Sequence, residues 1–222
     1  MAAFFADLCT ATNDNIARAC RRYYLLYLHN LIRIYDSFAN AWLQYKDKGR
    51  EQMNRLKEHI FMIGFMGVGK TSTSRILSKK LGVKENDTDA MIVKQEKKSI
   101  AEIFADEGEE YFRKTETGII DKLAELEPCI VSCGGGMAMR EVNVEKMKKI
   151  GKVVLLTATP ETIYSHVKDS TNRPLLNGNM NIPYIKKLME ERAPKYNAAA
   201  DIVIETDGCT PSQVADKIID SL

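Results

Sequence analysis

The segment Gly64-Phe65-Met66-Gly67-Val68-Gly69-Lys70-Thr71 constrains this 222-residue chain more than any other. It satisfies the spacing G-x-x-x-x-G-K-[ST] in full. It also stands in the context that spacing requires: residues 60–63 before it read as a short apolar strand, and residues 69–81 after it as a helix. Glycines let consecutive backbone N–H groups turn inward around phosphate oxygens, and the start of the helix adds positive potential there. The lysine reaches the β- and γ-phosphates, and the threonine hydroxyl is a ligand for Mg²⁺. A glycine-rich turn with no nucleotide role would not need strand, loop, Lys70 and Thr71 in register. The expected ATP-contacting set is therefore Gly64, Met66, Gly67, Val68, Gly69, Lys70, Thr71 and Ser72.

Beyond the loop the hydrophobic pattern alternates. Helical periodicity is read at residues 89–97, 99–106, 108–126, 142–149, 161–168, 182–196 and 211–221, and short apolar strands at 129–133, 153–157 and 202–205. A second strand should end near Asn86-Asp87. Strands alternating with helices imply an α/β fold, a parallel sheet covered on both faces.

The chain is expected to divide near residue 52, into a helical extension over 1–52 and a catalytic domain over 53–222. The first 56 residues hold eight Lys+Arg and five Asp+Glu, leaving 24 and 25 for the rest. Residues 13–48 repeat apolar or aromatic positions in steps of three and four, including Tyr23, Tyr27, Ile34, Phe38 and Trp42. So wide an apolar face needs a partner, either the rest of the chain or another molecule. Self-association or a protein partner through residues 13–48 is the expectation. Acidic residues and aromatic hydroxyls dilute the basic pattern of a membrane-surface helix.

Composition removes other classes. With 32 basic and 30 acidic residues the net charge is +2, too small for a whole-chain field that grips nucleic acid. The five cysteines, at 9, 20, 129, 133 and 209, show no C-x-x-C spacing and no histidine partners for zinc. No apolar run approaches the roughly 18 residues of a membrane span. No secretory signal is read at the start, and a cytoplasmic compartment is expected.

Three further groups carry chemistry. Asp87 and Asp89, at i and i+2 of an extended segment, would point the same way beside the phosphate loop, one supporting Mg²⁺ through water and one meeting an acceptor hydroxyl. An ordinary polar turn reads equally well. Only five arginines lie in residues 57–222, against nineteen lysines. Arg113, with Glu116 one turn on, Arg173 in an Asn- and Gly-rich stretch over 169–181, and Arg192 before Pro194 are candidates for planar two-pronged anion contacts. Surface ion pairing is the other reading, preferred for Arg75 and Arg140. Ser132-Cys133-Gly134-Gly135-Gly136 ends a buried strand in three glycines, where a backbone can come close to a ligand or simply turn into a helix.

In this order and spacing, these motifs resemble the shikimate kinase family over residues 57–222: the phosphate loop, Asp87-Thr88-Asp89, Phe112-Arg113 with Glu116, the triple glycine, Asn172-Arg173-Pro174-Leu175-Leu176, and Arg192-Ala193-Pro194 with Tyr196. The resemblance implies a P-loop kinase fold with a five-stranded parallel sheet and transfer of the ATP γ-phosphoryl group to the 3-hydroxyl of shikimate, with ATP as co-substrate and Mg²⁺ as cofactor. It implies that Lys70, Asp89 and Arg173 are catalytic, with Arg173 also binding ATP and Asp89 binding the hydroxyls. Arg113 and Arg192 clamp the carboxylate, with Glu116 alongside, and Gly134, Gly135 and Gly136 approach the ring through backbone N–H groups. Thr71, and Asp87 through water, serve the metal. Two positions depart from the family pattern: Lys84-Glu85-Asn86 stands where an apolar strand is usual, and His166 where an adenine-stacking arginine is frequent. Competing readings are another small-molecule kinase of this fold, gluconate-kinase-like, and a nucleotide-binding regulator that uses the N-terminal helix.

Overall fold

The computed structural model describes residues 25, 29, 32, 33, 35, 56–168 and 181–222. The chain divides into Met1–Gln52 and Met53–Leu222. In the first unit the five described residues are helical and exposed. The rest of the expected 13–48 helix lies outside the described residues, as does the 169–180 stretch that carries Arg173.

In the second unit β1 (His59–Gly64), β2 (Glu85–Asp87), β3 (Ile130–Ser132), β4 (Gly151–Thr157) and β5 (Ile202–Glu205) form one sheet in the order β2-β3-β1-β4-β5. Every neighbouring pair is parallel. Helices connect the strands: α1 (Lys70–Leu81), α2 (Thr88–Glu96), α3 (Ile100–Asp106), α4 (Gly108–Leu123), α5 (Glu141–Ile150), α6 (Pro160–Val167), α7 (Ile182–Ala199) and α8 (Pro211–Ser221). Among the described residues no helix is long and apolar enough to cross a membrane.

The period-two alternation of the central strands explains the two covered faces. In β1, Phe61 and Ile63 join a core with Ile92, Ile103, Ile119, Ile120 and Met147 from α2 to α5. Ile60 and Met62 point the other way, into a core with Leu77, Ile163, Ile185, Val214 and Ile218 from α1, α6, α7 and α8. Each such side chain, fully removed from water, contributes about 1.5–3 kcal/mol. The polar strand β2 is at the sheet edge and only half-buried, so it needs no apolar sequence. Its side chains are met by polar partners instead: the Ser74 hydroxyl donates to Glu85 (2.5 Å) and Asn86 donates to Cys129 Sγ (3.2 Å).

Caps set the helix limits. Asp87 caps α2, Ser99 with Glu102 forms a capping box on α3, and Thr210 with Gln213 does so on α8. The helix expected over 108–126 ends at Leu123, after which the Glu125 and Leu126 N–H groups fold back onto Lys122 and Leu123 in a turn. Pro194 sits inside α7, which nevertheless continues to Ala199.

At the opposite end of the sheet from the phosphate loop, His59 is buried at the start of β1. The Cys129 N–H donates to its Nδ1 (3.2 Å), which leaves the ring proton on Nε2. Burial lowers the His59 pKa below 6.5, against the opposing pull of backbone hydrogen bonds to Leu123 and Cys129. A histidine with a depressed folded pKa stays neutral in the native state while the unfolded chain takes up a proton. Its contribution is complete above pH 6.5 and is lost as pH falls below that value. Denaturant titrations between pH 7 and pH 5 should show stability falling with pH, and falling less in His59→Asn, whose Oδ1 replaces Nδ1 as acceptor.

Candidate active site

The phosphate loop turns at the C-terminal end of β1. Gly67 takes φ 80°, a left-handed value that a side chain resists, and a Cβ there would overlap Val167 of α6. Gly69, also at positive φ, precedes α1 directly. Lys70 Nζ donates to the carbonyls of Gly64 (2.8 Å) and Phe65 (3.1 Å), so its charge lies over the loop. Met66, Gly67, Val68, Gly69, Lys70, Thr71 and Ser72 line a cleft of about 500 Å³, and Asp87, Asp89, Gly134 and Gly135 line the same cleft. Of the expected nucleotide-binding residues that are described, Gly64 alone is not part of its wall; Arg173 lies outside the described residues.

The expectation that Asp87 and Asp89 project from one extended segment is not met. Asp87 closes β2 and is the cap of α2, its Oδ1 accepting from the N–H groups of Asp89 (3.0 Å) and Ala90 (3.1 Å). Asp89 belongs to the first helical turn. Both still reach the cleft, because strand end and helix start meet there.

The glycine run explains the other residues. A Cβ at Gly134 would overlap the Asp89 carboxylate, and one at Gly136 would overlap Nη1 of Arg113. Around Gly135 a Cβ would stand 3.8 Å from the Tyr196 hydroxyl and 3.9 Å from Arg192 Nη1. Asp89 from α2, Arg113 from α4 and Arg192 from α7 thus converge on one stretch of bare backbone. The Gly134 N–H donates to Thr88 Oγ1 (2.9 Å), which ties the start of the run to α2. The Tyr196 hydroxyl donates to the Gly135 carbonyl (2.7 Å) and fixes the middle of the run.

Arg113 is held from both sides. Its Nη1 donates to Glu116 (2.7 Å), and its Nε (3.2 Å) and Nη2 (3.0 Å) donate to Glu109 Oε1. Glu116 is buried, which raises its carboxyl pKa against the attraction of Arg113, and the Asp89 charge adds to the rise. Arg192 lies over the Phe65 ring, 5.8 Å from its centroid. Arg75 is exposed, 4.0 Å from Glu85, in the surface pairing expected for it.

Several wall residues are not legible as motifs. Ser132 Oγ is 3.4 Å from Thr71 Oγ1, and a small hydroxyl ending a strand beside the loop is its only sequence signal. His166, Thr206, Cys209, Pro211 and Val214 line the same cleft. His166 Nδ1 is 2.8 Å from the Gly67 carbonyl oxygen. The connection from β5 to α8 is pinned by Asp207, which accepts from the Thr159 N–H (2.9 Å) and hydroxyl (2.9 Å).

Among the described residues no cluster of three or more His, Cys, Asp or Glu forms a metal cage. Mg²⁺ in phosphoryl-transfer sites takes one or two carboxylates and completes its shell with substrate phosphates and water. The Thr71 hydroxyl and the acids Asp87 and Asp89 in one cleft match that donor set.

A parallel sheet with a phosphate loop on its central strand, joined to an acid and two guanidinium groups, defines a P-loop kinase for a small molecule. The shikimate kinase family profile matches residues 66–222. The chain is 40% identical over 168 residues to the shikimate kinase of Dehalococcoides mccartyi, covering 76% of this chain and 95% of that one. It is 40% identical over 162 residues to the enzyme of Thermodesulfovibrio yellowstonii, 73% of this chain and 93% of that one. Among solved structures, shikimate kinase from Acinetobacter baumannii in complex with shikimate superposes with a TM-score of 0.69 at 32% identity, over 74% of this chain and 92% of that one. The Aquifex aeolicus enzyme gives 0.64 at 36% identity, over 73% and 95%. The chain belongs to the shikimate kinase family.

The tight seat of the loop on α6 has a measurable consequence. Gly67→Ala combines a strained φ with overlap on Val167. It should lower equilibrium stability in urea by about 1–3 kcal/mol.

Proposed function

We propose that the protein transfers the γ-phosphoryl group of ATP to the 3-hydroxyl of shikimate, giving shikimate 3-phosphate and ADP. The observation that carries this reading is the convergence of Asp89, Arg113 and Arg192 on residues 134–136, beside the cleft of the phosphate loop. An anionic triol needs guanidinium at one end and a hydroxyl acceptor at the other, close to a bound triphosphate.

In this reading Arg113 and Arg192 bind the carboxylate, and Glu116 orients Arg113 from behind. Asp89 holds the reacting hydroxyl and receives its proton. The substrate oxygen forms a bond to the γ-phosphorus while the bond from that phosphorus to the β,γ-bridging oxygen breaks and ADP leaves. Lys70 neutralises charge that builds on the phosphate oxygens. Arg173, outside the described residues, is assigned to the transferring phosphate by its place in the family motif. Thr71, and Asp87 through water, would hold Mg²⁺, which supplies further neutralisation of phosphate charge when bound. His166, which lines the cleft and contacts the phosphate loop at Gly67, is assigned to the adenine side. Residues 1–52 are assigned to packing or self-association, and the compartment to the cytoplasm.

Coupled measurement of ADP release tests the activity: it should depend on shikimate, and release indifferent to shikimate would refute the reading. Lys70→Met should lower turnover by roughly a hundred- to a thousand-fold or more while the melting temperature stays close to wild type. Near-normal turnover by the folded variant would remove Lys70 from the mechanism. Arg113→Ala and Arg192→Ala should each weaken shikimate binding by roughly 2–4 kcal/mol, because a charge-assisted pair is lost, with ATP affinity little changed. Calorimetric titration of each ligand separates the two effects.

A further inference from the structure

Arg113 bears three nitrogens, and all three are engaged by carboxylates of its own helix. The two partners differ in one decisive respect: the Glu116 side chain is 1% exposed, whereas that of Glu109 is 68% exposed. Glu116 has no path into water. Glu109 has one.

The edges of the guanidinium differ as well. Its Nη1 side lies against Gly136, so close that a Cβ there would overlap it. The edge made by Nε and Nη2 is the remaining two-pronged face, and Glu109 Oε1 bridges both of its donors. A planar carboxylate from solution seeks that same face.

We propose that Glu109 is a built-in competitor for the substrate carboxylate, a residue that sets shikimate affinity by occupying Arg113 until the substrate displaces it. The inference rests on the functional reading above. Glu109 keeps the arginine satisfied and oriented in the resting enzyme, at the cost of weaker substrate capture. An exposed pair at i, i+4 is worth only a few-fold in an equilibrium constant, so displacement is easy and the effect on KM is modest.

The test is steady-state kinetics on Glu109→Gln and Glu109→Ala in the full chain, with melting temperatures as a control for folding. Glu110→Gln, which removes an equal charge from the next helical position, controls for general electrostatics. The expected result is a KM for shikimate lowered roughly two- to five-fold in both Glu109 variants, with kcat and the KM for ATP within two-fold of wild type. Glu110→Gln should leave the KM for shikimate unchanged. A KM for shikimate that stays the same or rises in the Glu109 variants would overturn the proposal, a rise marking Glu109 as a positioning residue for Arg113. An equal fall in Glu110→Gln would overturn it too. Absence of shikimate-dependent turnover in the wild type would instead refute the functional reading, and the proposal with it.

Discussion

The site depends on the parallel register of β1 with β3. Met62 pairs with Ser132, and the Cys133 N–H donates to the Met62 carbonyl (3.0 Å). Two turns of different purpose, the phosphate loop after β1 and the glycine run after β3, therefore leave the sheet side by side at the same edge. The pairing of β1 with β4 seats the loop from the other side, where α6 presses on Gly67. Because both neighbours of β1 are parallel to it, every strand delivers its C-terminal end to one rim, where a ligand crevice forms. A slip by one residue would turn Phe61 and Ile63 into the wrong core and separate the two loops.

The absence of side chains at 134 and 136 does the rest. Asp89 and Arg113 come from different helices, and both occupy volume that a Cβ at these positions would take. The glycines are thus explained by neighbouring side chains as much as by any ligand. Their backbone is held in turn by Thr88, through the Gly134 N–H, and by Tyr196, through the Gly135 carbonyl. Asp89, Arg113 and Arg192, on three helices, are in this way referred to one strand end. The two cysteines near that strand, Cys129 and Cys133, are buried, and burial raises both thiol pKa values, which suits packing rather than reactivity.

Much of this was legible in the sequence because the decisive signals are local. The phosphate loop carries its own context of strand and helix, and the alternation of apolar periods gives a parallel sheet. Arginine in a lysine-rich domain marks Arg113 and Arg192. What escaped depends on tertiary placement. The second strand is where the sequence places its end, but Glu, Asn and Asp show no apolar period, and what holds them in the sheet is pairing with β3 and polar contacts to Ser74 and Cys129. The spacing of Asp87 and Asp89 suggests an extended pair, but the Asp87 side chain can also cap a helix, and capping prevailed. Ser132 and the residues of the connection from β5 to α8 line the cleft only because the sheet order brings distant segments to one rim. Glu109 reads as one more surface acid until its distance to Arg113 is known.

The central claim is that one strand-end glycine run joins phosphate chemistry to an anion clamp. A crystal structure of the enzyme with shikimate, Mg²⁺ and a non-hydrolysable ATP analogue tests it most directly. The account predicts the carboxylate between Arg113 and Arg192, the 3-hydroxyl at Asp89 and directed at the γ-phosphorus, and the triphosphate around Lys70. A carboxylate turned towards Lys70, or shikimate bound away from residues 134–136, would contradict it.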